Sequence, residues 1–78
     1  MPWVDCKVTR AGPAENGTVY IALRAEDNSF HEWFVAVPAM EREMLATALT
    51  AISTGKLVSS SLSATTAYST INRLYVHG

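Results

Sequence analysis

The stretch Pro38-Ala-Met-Glu-Arg-Glu-Met-Leu-Ala-Thr-Ala-Leu-Thr-Ala-Ile-Ser-Thr-Gly55 decides the fold, because it alone carries a clear helical period. Leu45, Leu49 and Ile52 recur at spacings of four and three, which places them on one helix face. Met44, Ala48 and Ala51 widen that face. Pro38 stands in or just before the first turn, where its missing N–H removes no helical hydrogen bond. Glu41 and Glu43 lie near the positive end of the helix dipole and Lys56 beside the negative end. Gly55 supplies the left-handed residue that commonly ends helices. Two arrangements fit the small-residue stretch from Ala46 to Ala51. Either it lies on the chain's own sheet, or a sheet covers the Leu/Ile stripe and a neighbouring copy meets the Ala/Thr stripe. In the second case Met44, Ala48 and Ala51, with Trp33 from a nearby strand, are the expected interface between copies.

Outward from the helix, everything reads as strand. Val4, Cys6 and Val8 alternate with Asp5, Lys7 and Thr9, the period of a half-buried strand, which turns Cys6 inward as an inert thiol. Residues 11–17 hold the turn pairs Gly-Pro and Asn-Gly and read as a long hairpin loop. Residues 18–24 form a second strand and 25–29 a polar turn. Residues 30–37 form a third strand, with Trp33, Val35 and Val37 on one face and Phe30, Glu32 and Phe34 on the other. A strand apolar on both faces is either central or an aromatic platform, and core or interface is the favoured reading for Phe30 and Trp33. After the helix, 57–62 reads weakly as a strand, because a Ser59-Ser60-Ser61 run has poor strand propensity. Residues 63–67 form a polar loop, 68–76 a fifth strand, and His77-Gly78 a loose end.

Seventy-eight residues make one domain, 1–78, near the size at which a single core only just suffices. With 49% hydrophobic residues the chain is too apolar for disorder, and self-association would add buried area. The net charge is −1 and no basic run exists, which disfavours nucleic acid as a partner. One cysteine excludes an internal disulfide. The opening residues show no secretory leader, so a cytoplasmic location is expected unless a leader was removed. No apolar run is long enough to span a bilayer.

Chemistry is sparse. Cys6, His31 and His77 lack the paired spacing of metal ligands. The carboxylate pairs Glu26-Asp27 and Glu41/Glu43 sit in a turn and at a helix start, without the burial that tunes a catalytic acid. No serine elbow and no phosphate loop occurs. A non-enzymatic protein without a cofactor is the expectation.

The order strand-strand-strand-helix-strand-strand is that of the oligonucleotide/oligosaccharide-binding (OB) barrel, a five-stranded Greek-key fold. The run Leu45-Ala-Thr-Ala-Leu-Thr-Ala-Ile-Ser-Thr-Gly-Lys-Leu-Val58, then Tyr68-Ser-Thr-Ile-Asn-Arg-Leu-Tyr-Val76, resembles the second half of subtilase-cytotoxin-type receptor-binding B subunits. The resemblance implies a ring of five copies with helices lining a pore, and binding of cell-surface glycans through the start of the first strand. The matching stretch here, Trp3-Val4-Asp5-Cys6, holds no serine where those subunits use one. The expected function is a non-catalytic homopentameric module that recognises a glycan or a protein. The expected ligand contacts are Trp3, Asp5, Glu15, Asn16, Tyr20 and Tyr68, on loops and strand ends. The rival is a single-stranded nucleic-acid binder, with rings from Tyr20, Phe30, Phe34 and Tyr75 and charge from Arg10, Arg24 and Arg73.

Overall fold

The computed structural model describes residues Trp3 to His77, so Gly78 of the expected loose end lies outside the described residues. The elements are β1 (Trp3–Pro13), β2 (Val19–Ala25), β3 (His31–Ala36), a 3₁₀ turn (Pro38–Met40), α1 (Glu41–Thr54), β4 (Val58–Leu62) and β5 (Thr70–Val76). The strands close into a five-stranded barrel in the order β1-β2-β3-β5-β4. All neighbours are antiparallel except β3 and β5, which run parallel. This is the OB architecture expected from the element order. No helix among the described residues is long and apolar enough to cross a membrane.

Closure depends on β1, which is longer than its alternation suggested. Trp3 to Cys6 pair with β4, while Cys6 to Pro13 pair with β2. The register to β2 slips between Val8 and Arg10, so Thr9 is the extra residue of a β-bulge. A bulge bends its strand and increases the local twist, so β1 curves between its β4-paired start and the end of its β2-paired stretch. The part of the expected loop that β1 absorbs is Ala11 to Pro13, opposite Ile21, Tyr20 and Val19. The remaining turn closes with Ala14 N–H donating to Thr18 O at 2.8 Å and Thr18 N–H to Asn16 Oδ1 at 3.0 Å. Gly17 takes φ 87°, the conformation for which the Asn-Gly pair was read as a turn.

Inside the barrel lie Cys6, Val8, Ile21, Leu23, Phe34, Val58, Leu62 and Ile71. Phe34 is fully buried, with Phe30 edge-on at 5.6 Å between ring centroids. Burying such a side chain contributes roughly 1.5–3 kcal/mol. The serines of β4 have two uses. Ser60 points inward, fully buried, and donates to Val4 O at 3.0 Å, so its hydroxyl is satisfied. Ser59 and Ser61 stand opposite Tyr75 and Trp3. Their small size lets those two rings meet above β4, stacked at 5.7 Å and 18°.

Of the two arrangements for the small-residue stretch of the helix, the chain's own sheet covers it, and the alternative in which the sheet covers the Leu/Ile stripe is corrected. Met44, Ala48 and Ala51 are the residues buried against the barrel, whereas Leu49 and Ile52 are 49% and 41% exposed. Leu45 is partly buried at the edge of the core. The physical reason is the one that made the small stripe notable, since alanine lets another backbone approach closely. Here that backbone is the chain's own barrel, and α1 touches β1, β2, β3 and β5. The expected contact between copies through Met44, Ala48 and Ala51 therefore uses side chains already inside the core. Gly55 ends the helix at φ 70°. His77 is not loose: its N–H donates to Leu57 O at 2.9 Å.

Two outcomes follow for stability. Ala48→Leu should destabilise by about 1–3 kcal/mol through overpacking, whereas Ala46→Gln, at an exposed helix position, should stay within about 0.5 kcal/mol of the parent, both read from urea unfolding. Burial raises the Cys6 thiol above its ordinary pKa. Cys6 should therefore resist alkylation at pH 8 in the native protein and react promptly once urea unfolds it.

Candidate functional site

Alternation along β2 and β3 turns Tyr20, Ala22 and Arg24, and His31, Trp33 and Val35, to the outside of the barrel. The bulge at Thr9 brings Arg10 onto the same side, opposite Ala22. Thr9 donates to Ala22 O at 3.4 Å and lies 2.9 Å from Nε2 of His31. The β4–β5 loop then folds over the edge of this face. Tyr68 N–H donates to Trp33 O at 2.6 Å, and Val35 N–H donates to Ser69 O at 3.0 Å. Thr70 N–H donates to Ser63 Oγ at 3.0 Å, bracing the loop at its base.

The result is an open cleft of about 550 Å³ lined by Arg10, Ala11, Gly12, Pro13, Tyr20, Trp33 and Tyr68. That volume lies within the range of small-ligand sites. Tyr20 and Tyr68 meet edge-on at 6.1 Å and 89°. Trp33 is half-buried, and Tyr68 is 63% exposed. Tyr68 also adopts φ 63°, a left-handed conformation that disfavours a bulky side chain. The loop thus holds a strained tyrosine that contributes little to the core and much to the cleft wall. Rings at right angles with a guanidinium alongside can clasp a flat or ring-shaped ligand.

The expected contacts separate into three places. Tyr20 and Tyr68 come together in the cleft, joined by Trp33, which had been read as core or interface. Trp3 and Asp5 lie elsewhere, in a shallow depression with Val4, Glu26 and Asp27. Glu15 and Asn16 are exposed at the tip of the β1–β2 turn, where Asn16 serves the turn itself. Of the rings considered for nucleic acid, Phe30 and Phe34 face the core and Tyr75 stacks on Trp3. Gly12 and Pro13 belong to the stretch 11–17 that was expected to face a ligand as a loop; they reach the cleft as the end of β1, paired with Tyr20 and Val19, rather than as a loop.

Ser59, His77 and Asp5 also converge. Ser59 donates to Asp5 Oδ1 at 3.1 Å and lies 2.7 Å from His77 Nε2, which is 3.5 Å from Asp5 Oδ1. A serine–histidine–aspartate relay uses both ring nitrogens, one for the serine and the other for the carboxylate. Here both partners address Nε2, and the serine proton points to the carboxylate. The cluster ties the start of β1 to the end of β5 and lacks the geometry of an activated nucleophile. Among the described residues no group of three or more His, Cys, Asp or Glu could hold a metal ion.

Compared with protein-family models, curated proteins and solved structures, the chain gives no match.

The strain at Tyr68 gives a direct test of its role. Tyr68→Gly should leave stability within about 1 kcal/mol of the parent, since relief of left-handed strain offsets the lost contact. Thermal unfolding would measure this, and a large drop would make Tyr68 a structural anchor.

Proposed function

We propose that this chain is a non-catalytic binding module that holds a glycan in the Tyr20–Trp33–Tyr68 cleft. The observation that carries this reading is the convergence of three aromatic rings, from β2, β3 and the β4–β5 loop, on one open cleft. OB barrels bind oligosaccharides and oligonucleotides on this side, between the first hairpin loop and the loop between strands four and five. A pyranose ring presents an apolar face of C–H groups to an aromatic ring and hydroxyls at its rim. Tyr20, Trp33 and Tyr68 supply the aromatic surface, and the tyrosine hydroxyls with Arg10 supply hydrogen-bonding groups. The resemblance to receptor-binding B subunits supports the same ligand class, although the cleft is far from the Trp3–Cys6 stretch matched to their binding residue.

Binding to an array of oligosaccharides tests the reading. The parent should give defined hits, and Trp33→Ala and Tyr20→Ala should each weaken them at least tenfold while the fold is retained by circular dichroism. Hits that persist in both variants would remove the cleft from the function.

The same reading includes self-association, with five copies in a ring as the resemblance implies. The surface that supports it is now the exposed helix flank of Leu49 and Ile52. Native mass spectrometry of the parent should show a discrete oligomer, and Leu49→Glu with Ile52→Glu should convert it to monomer. A monomeric parent would withdraw the ring and leave the cleft untouched.

A further inference from the structure

The register of the first three strands sorts charge in a way that the net value of −1 conceals. Lys7 stands opposite Arg24, and Arg24 opposite His31. The three form a row across β1, β2 and β3, all exposed. In the next row Arg10 faces Ala22 and Ala22 faces Trp33; in the one beyond, Gly12 faces Tyr20 and Tyr20 faces Val35. Successive rows on one face are about 6.6–6.8 Å apart, so the basic row lies about 13 Å from the row of Tyr20. Half of the chain's six Lys and Arg residues therefore stand on this outer face.

Among the described residues Lys7, Arg10 and Arg24 have no carboxylate within ion-pairing distance. Among the described residues the only acid–base contact within ion-pairing distance is His77 with Asp5. The face is also continuous. A second cleft of about 380 Å³ lies between the aromatic cleft and the basic row, lined by Thr9, Arg10, Ala22, His31, Glu32 and Trp33. Arg10 and Trp33 belong to both clefts. The bulge at Thr9 creates the junction, since it places Thr9 beside His31 and Arg10 beside Trp33.

We propose that the outer face of β1, β2 and β3 binds an acidic oligosaccharide, which runs from the aromatic cleft over Arg10 to the Lys7–Arg24–His31 row. Its carboxylate or sulfate groups lie on that row. This rests on the aromatic cleft being a sugar site, as argued above, and adds the length and charge of the ligand. Glu32 lines the second cleft, within the path, where an uncharged part of the ligand has to pass. The limit is set by Asp5, Glu26 and Asp27, which lie beyond the basic row, with Glu26 N–H donating to Asp5 O at 3.0 Å. An anionic chain is attracted as far as Lys7 and Arg24 and repelled past them. A single-stranded nucleic acid needs a cationic groove that tracks its backbone, and one short row ended by carboxylates does not provide it.

The test uses an array carrying matched pairs of oligosaccharides, each neutral chain beside its carboxylated or sulfated counterpart, in lengths of one to four units. The acidic tri- and tetrasaccharides should bind at least tenfold tighter than their neutral partners. This preference should shrink with added salt, because exposed charges are screened within about 8–10 Å at ordinary ionic strength. Lys7→Gln with Arg24→Gln should abolish the preference while neutral chains bind as before. Equal binding of acidic and neutral chains, unchanged in that double variant, would overturn the proposal and leave the sugar cleft standing. Loss of all array binding in the parent would instead overturn the cleft reading beneath it. A fluorescence titration with an eight-residue oligothymidylate separates the remaining case. Tighter binding of that strand than of any acidic glycan, lost in Lys7→Gln with Arg24→Gln, would replace the oligosaccharide by nucleic acid.

Discussion

The fold depends on the bend of its longest strand, β1. β1 must pair with β4 at its start and β2 over its length, and a straight strand cannot close so small a barrel. The extra residue at Thr9 supplies the bend. The same residue shapes the outer surface, because adding one position brings Arg10 to the side that carries Trp33 and places Thr9 against His31. The bend of β1 and the placing of Arg10 beside Trp33 on the outer face are thus consequences of one irregularity. Replacing it by regular pairing would turn the residues after Thr9 to the opposite faces.

Charge illustrates why a global sum is a poor guide in a small barrel. The chain is almost neutral, yet strand register gathers Lys7, Arg10 and Arg24 on one face and Asp5, Glu26 and Asp27 at its far limit. Aromatic side chains divide in a similar way. Phe30, just before β3, pairs edge-on with Phe34 on the core side, while Trp33 between them turns outward. The two apolar faces of β3 therefore have different causes: one fills the barrel and the other walls a cleft.

Much of the fold was legible because it rests on periodicity. The single helix, the order of the strands and the inward Cys6 all follow from spacing alone. The helix face was legible only as two alternatives, of which packing of the small residues on the chain's own barrel is the one found. Leu45, Leu49 and Ile52 make the more hydrophobic stripe, but Ala48 and Ala51 decide which side approaches the barrel, since distance of approach outweighs side-chain hydrophobicity at a tight contact. The serine strand was read as weak for want of propensity, yet Ser60 satisfies its hydroxyl on Val4 and its neighbours leave room for the Trp3–Tyr75 stack. Of the cleft, Tyr20 and Tyr68 were legible as aromatics near loops. Trp33 was visible only as an ambiguous residue, and residues 11–13 were legible as ligand-facing but as a loop, because a bulge leaves no pattern that distinguishes a continuing strand from one ending in a loop.

The contact between Asp5, Ser59 and His77 brings the two described ends of the chain together. The aromatic cleft forms at the other end of β1, roughly 20 Å of extended strand away. A tether attached at either end of the chain would thus leave from the same corner and hold the cleft outward. Copies tethered side by side on a surface would therefore present their clefts in one direction.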